Sequence, residues 1–127
     1  MIRRLTKVYF DGGCRPNPGP IEVAVVVRGI AHLFDDLGSG TSNDAEWLAL
    51  IRGLELAQAA KLREIDLVGD ALDVINRAQK VLRTGRTFSR HEETLKLVIA
   101  KTPPSRIRWI KRAQNLAGIA LAARHPR

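Results

Sequence analysis

Cysteine is nearly absent from this 127-residue chain, which has only Cys14 and therefore cannot form an internal disulfide. A chain without disulfides is typical of a reducing compartment, so we expect a cytoplasmic protein. The sequence also lacks an apolar run approaching the roughly 20 residues that a membrane-spanning helix needs. Its first ten residues lack the apolar segment of a secretory signal. We therefore expect one globular domain over residues 1–127, a monomer with no membrane contact.

Acidic residues are missing after Glu93, and residues 94–127 carry only Lys and Arg as charged side chains besides His125. The whole chain has 21 Lys and Arg against 13 Asp and Glu, which gives a net charge of +8. A basic surface of this kind favours a polyanionic partner such as nucleic acid. The alternative is that the charge serves only solubility.

Hydrophobic periodicity predicts an α/β chain in which three strands in a meander precede alternating helices and strands. The predicted strands cover residues 5–10, 22–27, 31–37, 64–69 and 106–111, and the predicted helices cover residues 43–60, 71–83, 91–101 and 115–124. Arg28 and Gly29 are predicted to form the hairpin turn between the second and third strands. Strands separated by helices favour parallel pairing, so we expect a mixed sheet with helices packed against its faces.

Three carboxylates occupy positions at which such a sheet binds ligands. Asp11 and Asp70 follow the first and fourth predicted strands, and ligands gather at the carboxyl ends of strands in α/β sheets. Glu46 lies in the first turn of the helix that follows the meander. Each acid also has a plain structural interpretation. Asp11 could form a turn with Gly12, and Asp70 could cap the next helix. Glu46 could form a capping box with Asn43.

These carboxylates would repel one another if they met on one rim of the sheet, and their pKa values would rise. A divalent cation relieves such repulsion, and hard ions such as Mg²⁺ prefer oxygen ligands. The convergence of three acids therefore indicates a metal site, whereas each acid alone does not.

The chain contains, in this order, the segments YFDGGCRPNPGP, TSNDAEWLALIRGLELA and VGDALDVI. In this order and spacing they resemble the leading motifs of type 1 ribonuclease H, which cleaves the RNA strand of RNA/DNA hybrids. The resemblance implies a ribonuclease H-like fold, with a five-stranded mixed sheet in the order 3-2-1-4-5 flanked by helices. It also implies metal-dependent, endonucleolytic hydrolysis.

By this resemblance, Asp11, Glu46 and Asp70 are the metal ligands and catalytic residues. They would bind two Mg²⁺ ions when substrate is present, and Mn²⁺ could replace Mg²⁺. One ion activates the attacking water and the other stabilises the departing 3′ oxygen. Asp11 lies at the centre and is expected to contact both ions.

The resemblance also implies which residues contact the hybrid. The predicted substrate-binding residues are Gly12, Gly13, Cys14, Asn17, Thr41 and Asn43. The first three would offer backbone groups to ribose 2′-hydroxyls in the minor groove, because a bare loop permits close approach. The two asparagines match positions that contact nucleic acid, and the threonine matches a pocket for a DNA-strand phosphate. A 2′-hydroxyl distinguishes RNA from DNA, so the expected partner is an RNA/DNA hybrid.

The final motif departs from the family, which has an Asn, an Asp four positions later, and Leu and Ala two and three beyond it. Here the stretch reads RAQNLAGIALA, and a gapless alignment puts Ile119 at the position of the acid. In a shifted register Asn115 itself takes this fourth position, where its amide oxygen could bind a metal or a metal-bound water. We favour Asn115 as the fourth catalytic and metal-binding residue, because it is a good helix start.

Two further features of the family are missing. The loop histidine that precedes the last helix is replaced by Arg112–Gln114, and His125 is expected to be a tail residue. The short segment between Arg83 and His91 leaves no room for the extra basic helix by which some relatives hold substrate.

Two functional classes remain open. The first is a working ribonuclease H, and the alternative is a weakened or inactive ribonuclease H-like module that only binds nucleic acid. A transposase-like or integrase-like domain of the same fold is a third choice, but the flanking motifs do not resemble those domains. Retention of Asp11, Glu46 and Asp70 favours the enzyme, because a binding module gains nothing from crowding three acids near a phosphate.

Overall fold

The computed structural model describes residues 4–125, so residues 1–3 and 126–127 of the predicted domain lie outside the described residues. The strands are β1 (Thr6–Cys14), β2 (Gly19–Val27), β3 (Ile30–Phe34), β4 (Ser39–Gly40), β5 (Ile65–Gly69) and β6 (Arg106–Trp109). The helices are α1 (Ser42–Ala59), α2 (Leu72–Thr84), α3 (Arg90–Lys101) and α4 (Leu116–Ala122), and a single 3₁₀ turn, Arg112–Gln114, precedes α4.

The sheet has the order β3-β2-β1-β5-β6, and β4 pairs with β2 beside this path. β1 is antiparallel to β2 and parallel to β5, which is in turn parallel to β6. The predicted mixed sheet and its strand order are confirmed, with β5 and β6 as the fourth and fifth strands. β4 escapes prediction because two residues carry no periodic signal.

The hairpin between β2 and β3 forms where it was predicted. Arg28 and Gly29 have φ angles of +51° and +78°, the left-handed conformation that a tight two-residue turn requires. β3 is shorter than predicted and ends at Phe34, since the acidic pair Asp35 and Asp36 is exposed and lies outside the sheet.

Helices α1, α2 and α3 pack on one face of the sheet, and α4 packs on the other face against β1 and β2. The predicted apolar stripe of α1 is buried, and it consists of Trp47, Ile51, Leu54 and Ala57. Within residues 4–125, no helix combines the length and the apolarity needed to cross a bilayer.

β1 continues to Cys14 instead of ending at Phe10. Its last residues pair with β2 although two of them are glycines, a residue type that is uncommon within strands. Parallel pairing with β5 stops at Tyr9↔Val68. Asp11 therefore lies inside β1, just beyond its last pair with β5, and the segment that follows it is strand and not a bare loop.

Candidate active site

Three acidic side chains converge at one edge of the sheet. Asp11 comes from β1, Glu46 from α1, and Asp70 directly follows β5. Each offers one carboxylate oxygen, and these oxygens all lie within 4.8 Å of one another. β1 and β5 are parallel neighbours, so their carboxyl ends reach the same edge, and the first turn of α1 lies over it. The structure thus brings together the three side chains that the sequence singles out.

Glu46 is free to face the other acids because it does not cap α1. The helix is capped by Thr41, whose hydroxyl accepts a hydrogen bond from the backbone N–H of Asp44, while the Asp44 carboxylate accepts one from the backbone N–H of Thr41. The predicted capping box of Asn43 and Glu46 is therefore wrong by two residues. Instead, a Glu46 carboxylate oxygen accepts a 2.7 Å hydrogen bond from the backbone N–H of Gly12.

Gly12 allows this hydrogen bond because it has no side chain. A Cβ atom at this position would overlap the backbone carbonyl of Ala45, whereas at Gly13 the nearest atom would be a Leu121 methyl carbon at 3.9 Å. The approach of β1 to the first turn of α1 therefore requires glycine at position 12.

We expect Gly12→Ala to lower the free energy of unfolding by at least about 2 kcal/mol, because the backbone of α1 must move to admit the methyl group. The same shift would lengthen the hydrogen bond from the backbone N–H of Gly12 to Glu46. Urea unfolding followed by circular dichroism measures the first effect. Gly13→Ala is the matched control, and equal stability of both variants would contradict the proposed overlap.

Asp70 does not cap the helix that follows it. The N-cap of α2 is Ala71, which provides no side-chain hydrogen bond, so the predicted capping role of Asp70 is wrong. One Asp70 oxygen instead accepts a 3.2 Å hydrogen bond from the side-chain amide nitrogen of Asn115. That nitrogen also donates to the Phe10 carbonyl at 3.0 Å, and the Asn115 oxygen accepts from the backbone N–H of Ala117 as the cap of α4.

This arrangement corrects the expected orientation of Asn115. The amide is fully buried, its oxygen is used by the α4 backbone, and its nitrogen faces Asp70. Asn115 therefore orients one of the acids and does not present an oxygen ligand. Gly118 is the residue of α4 that faces Asp11, since a Cβ there would lie 3.5 Å from an Asp11 oxygen. Ile119, the gapless alternative, is 55% exposed.

Two of the crowded acids, Asp11 and Glu46, hold protons more tightly than ordinary carboxyl groups. Burial and the charge of Asp70 raise the pKa of Asp11 to about 6, although Arg112 opposes the shift. Burial and the charge of Asp11 raise the pKa of Glu46 to about 8, against the hydrogen bond from Gly12. Three oxygen ligands in one partly buried cluster fit a hard divalent ion such as Mg²⁺, whose charge would replace these protons.

Without metal, the protein should become less stable as pH rises from about 4 to about 8. Asp11 and Glu46 have higher pKa values folded than unfolded, so in this window the folded state binds more protons. The free energy of unfolding should therefore fall with rising pH, by a few kcal/mol in total. Urea unfolding in a chelator at several pH values measures this loss. Excess Mg²⁺ should reduce it, and Glu46→Gln should make the curve flatter. A metal-free stability that does not change across this window would contradict the interpretation.

Three of the six predicted substrate-binding residues lie beside the acids. A cleft of about 280 Å³ is lined by Asp11, Glu46 and the end of β1 from Gly12 to Cys14. Asn17 adjoins this cleft, and its side-chain oxygen accepts hydrogen bonds from the backbone N–H of Ser42 and from the Cys14 thiol. The structure also places Thr41 at the N-cap of α1 and Asn43 exposed in its first turn.

Several residues that the sequence did not assign to the site also line the cleft, among them Glu22, Arg112 and His125. The expectation that His125 is a tail residue is therefore wrong. His125 lies three residues beyond the end of α4, in a turn where its backbone N–H donates to the Ala122 carbonyl, so helical spacing did not indicate its place. Glu22 carries no local signal either, because its place depends on pairing between β1 and β2.

A family model described as "Reverse transcriptase-like" matches residues 10–125. Ribonuclease HI of Halobacterium salinarum is 44% identical over 68 residues, which cover 50% of this chain and 34% of that protein. A bifunctional protein of Mycobacterium tuberculosis is 32% identical over 127 residues, 91% of this chain and 34% of that protein. The chain thus matches about a third of the length of these curated relatives.

Two solved structures are similar over nearly their whole length. The crystal structure of RNase H1 from Halobacterium salinarum has a TM-score of 0.75 and 27% sequence identity, and it covers 93% of this chain and 94% of that one. LC11-RNase H1, isolated from compost by a metagenomic approach, was crystallised in complex with an RNA/DNA hybrid. It has a TM-score of 0.72 and 28% identity, covering 91% and 92% of the two chains.

Proposed function

Since this chain belongs to the type 1 ribonuclease H family, we propose that it hydrolyses the RNA strand of RNA/DNA hybrids with divalent metal ions. The observation that carries the proposal is the group of three carboxylates within 4.8 Å of one another. Carboxylates this close together repel one another and destabilise a folded protein, unless a bound cation neutralises their charge. A phosphodiester bond bound at such a site would lie next to the carboxylates that hold the metal ions for hydrolysis.

Asp11, Glu46 and Asp70 would hold the ions, which when bound supply an activated water and stabilise the departing 3′ oxygen. The chain's own residues fix the geometry of these ligands. The backbone of Gly12 orients Glu46, and the amide of Asn115 orients Asp70. Two of the three acids, Glu46 and Asp70, are thus positioned by a hydrogen-bond donor before any ion binds, which limits the reorganisation that the reaction requires.

The cleft beside the acids supports a hybrid as substrate. Parallel pairing of β1 ends before Asp11, so beyond this point one edge of the strand faces the cleft and not another strand. Backbone groups on such an edge can approach a ribose closely, as the resemblance implies. The complex of LC11-RNase H1 with an RNA/DNA hybrid gives this substrate class further support.

The second candidate is a module that binds hybrids without cleaving them. One observation favours it: the last helix carries no acid, and glycine stands where α4 faces Asp11. A site with three ligand charges holds its ions less tightly than a site with four. We therefore expect an enzyme that needs more metal than relatives with a fourth acid.

The deciding experiment is cleavage of a labelled RNA/DNA hybrid in a titration of Mg²⁺ and, separately, of Mn²⁺. The proposal predicts RNA fragments from the hybrid that are absent in chelator, and no fragments from duplex DNA of the same sequence. Tight hybrid binding without cleavage at any concentration of either metal would favour the binding module.

A further inference from the structure

Glu22 and His125 line the cleft that Asp11 and Glu46 also line. The imidazole Nε2 of His125 lies 2.6 Å from a carboxylate oxygen of Glu22. Both side chains are partly exposed, 30% for His125 and 17% for Glu22, and both line the same cleft as Asp11. The pair is therefore fixed in orientation and open to a ligand, and the mechanism above leaves it unused.

The path of α4 sets the distance of this pair from the acids. Gly118 faces Asp11, Leu121 lies nearest to Gly13, and His125 reaches Glu22. Helix α4 thus crosses β1 and ends at β2, with the acids at one end of its path and the pair at the other. Helix α4 ends at Ala122 and a tight turn carries the chain to His125, so a rise of about 1.5–2 Å per residue corresponds to roughly 10–12 Å between Gly118 and His125. A nucleic-acid strand with a phosphate at the acids would place a nucleotide one or two steps away beside the pair.

The chemistry of the pair favours a hydroxyl ligand. His125 Nε2 is paired with one Glu22 oxygen, so with the proton on Nε2 a hydroxyl can donate to the second Glu22 oxygen or to Nδ1 of His125. A phosphate next to Glu22 would instead meet a like charge, which disfavours it. In a hybrid, the ribose 2′-hydroxyl is the group that the RNA strand has and the DNA strand lacks.

We propose that Glu22 and His125 recognise a 2′-hydroxyl of the RNA strand, one or two nucleotides from the cleaved linkage. The inference rests on the proposed function, and it assigns the pair to substrate positioning, not to the chemical step. It adds a contact on the α4 side of the cleft, opposite the backbone contacts expected from Gly12 to Cys14.

A neighbouring residue offers a matched control. Arg124 also holds the segment after α4 in place, because it forms ion pairs with Asp35 at 3.1 Å and with Glu22 at 3.9 Å. Unlike His125, Arg124 does not line the cleft. If the contacts of His125 only anchor the end of the chain, Arg124→Ala and His125→Ala should have the same consequences. If His125 binds a 2′-hydroxyl, only the His125→Ala variant should lose the sensitivity of cleavage to replacement of a ribose by 2′-deoxyribose.

The experiment measures kcat/KM on hybrids with a single cleavage site, in which each RNA nucleotide near the site is replaced in turn by its 2′-deoxy form. We expect His125→Ala to lower kcat/KM on the all-ribose strand by roughly five- to tenfold, the scale of one lost hydrogen bond. At one position, the deoxy substitution should lower kcat/KM of the wild type by a similar factor. The same substitution should not lower kcat/KM of His125→Ala any further. Arg124→Ala should keep the wild-type sensitivity at that position. Glu22→Gln, which preserves size, should show the same loss of sensitivity as His125→Ala.

A uniform loss for His125→Ala at every position, with wild-type sensitivity to each deoxy substitution, would overturn the proposal. If the wild type cleaves no hybrid, the proposed hydrolysis fails, and the same strands are then compared by binding with fluorescence anisotropy. A position at which His125→Ala abolishes the effect of the deoxy sugar on Kd would still support this contact. The absence of any such position would refute it.

Discussion

Asp11→Asn is expected to abolish hybrid cleavage, with the single-turnover rate at saturating Mg²⁺ falling by roughly 10³-fold or more. Asp11 is only 6% exposed, and one of its carboxylate oxygens lies within 4.8 Å of ligand atoms on both Glu46 and Asp70. It can therefore share ions with either neighbour, and an amide of the same size keeps the shape of the site but removes this charge. Single-turnover kinetics with labelled RNA measure the loss directly.

A second measurement separates lost chemistry from misfolding. Asn at position 11 removes one of three crowded charges, so the metal-free variant should be more stable than the wild type at alkaline pH. Asp73→Asn is the matched control, because this α2 carboxylate is 69% exposed and only pairs with Arg77. Retention of the wild-type rate by Asp11→Asn would remove the proposed site.

Asn115→Asp is expected to destabilise the protein by about 3 kcal/mol or more, because it puts an unpaired charge in a buried position. An aspartate could still cap α4, but it could not donate to the Phe10 carbonyl or to Asp70. Its charge would face the Asp70 carboxylate instead. Urea unfolding in a chelator measures the cost, and the Mg²⁺ concentration for half-maximal cleavage should not fall.

Ile119→Asp is the matched comparison, because it introduces the same negative charge one helical turn after Asn115. Ile119 is exposed, so Ile119→Asp should change the stability by no more than about 0.5 kcal/mol. It adds an acid next to Gly118, which faces Asp11, so the Mg²⁺ requirement should fall. A stable Asn115→Asp variant with a lower Mg²⁺ requirement would show instead that position 115 faces the ions.

The sequence was sufficient to predict those features of the fold and the site that depend on a local, repeated pattern of residues. The apolar stripe of α1 predicted its buried face, and acids after two parallel strands predicted that they would meet. The cap of α1 could not be chosen in the same way, because Thr41 and Asn43 are both good N-cap residues two positions apart. The choice depends on Asp44, whose carboxylate completes the capping box with Thr41 and also contacts His91 at 2.8 Å.

The orientation of Asn115 was beyond sequence reasoning for a different reason. An amide has a donor end and an acceptor end, and the partners that decide between them are 105 residues away at Phe10 and 45 residues away at Asp70. No spacing rule reaches so far along a chain. His125 was missed because the path of α4 across the sheet fixes where that helix ends.

The contact of Gly12 with Ala45 implies that the separation of two of the acids is set by main-chain atoms. Side chains in the interior can be exchanged for others of similar volume while the two backbones remain in touch. Such exchanges should shift the melting temperature of the protein and leave the affinity for divalent ions nearly constant. The stability of the fold and the affinity of the proposed metal site should therefore vary independently in this molecule.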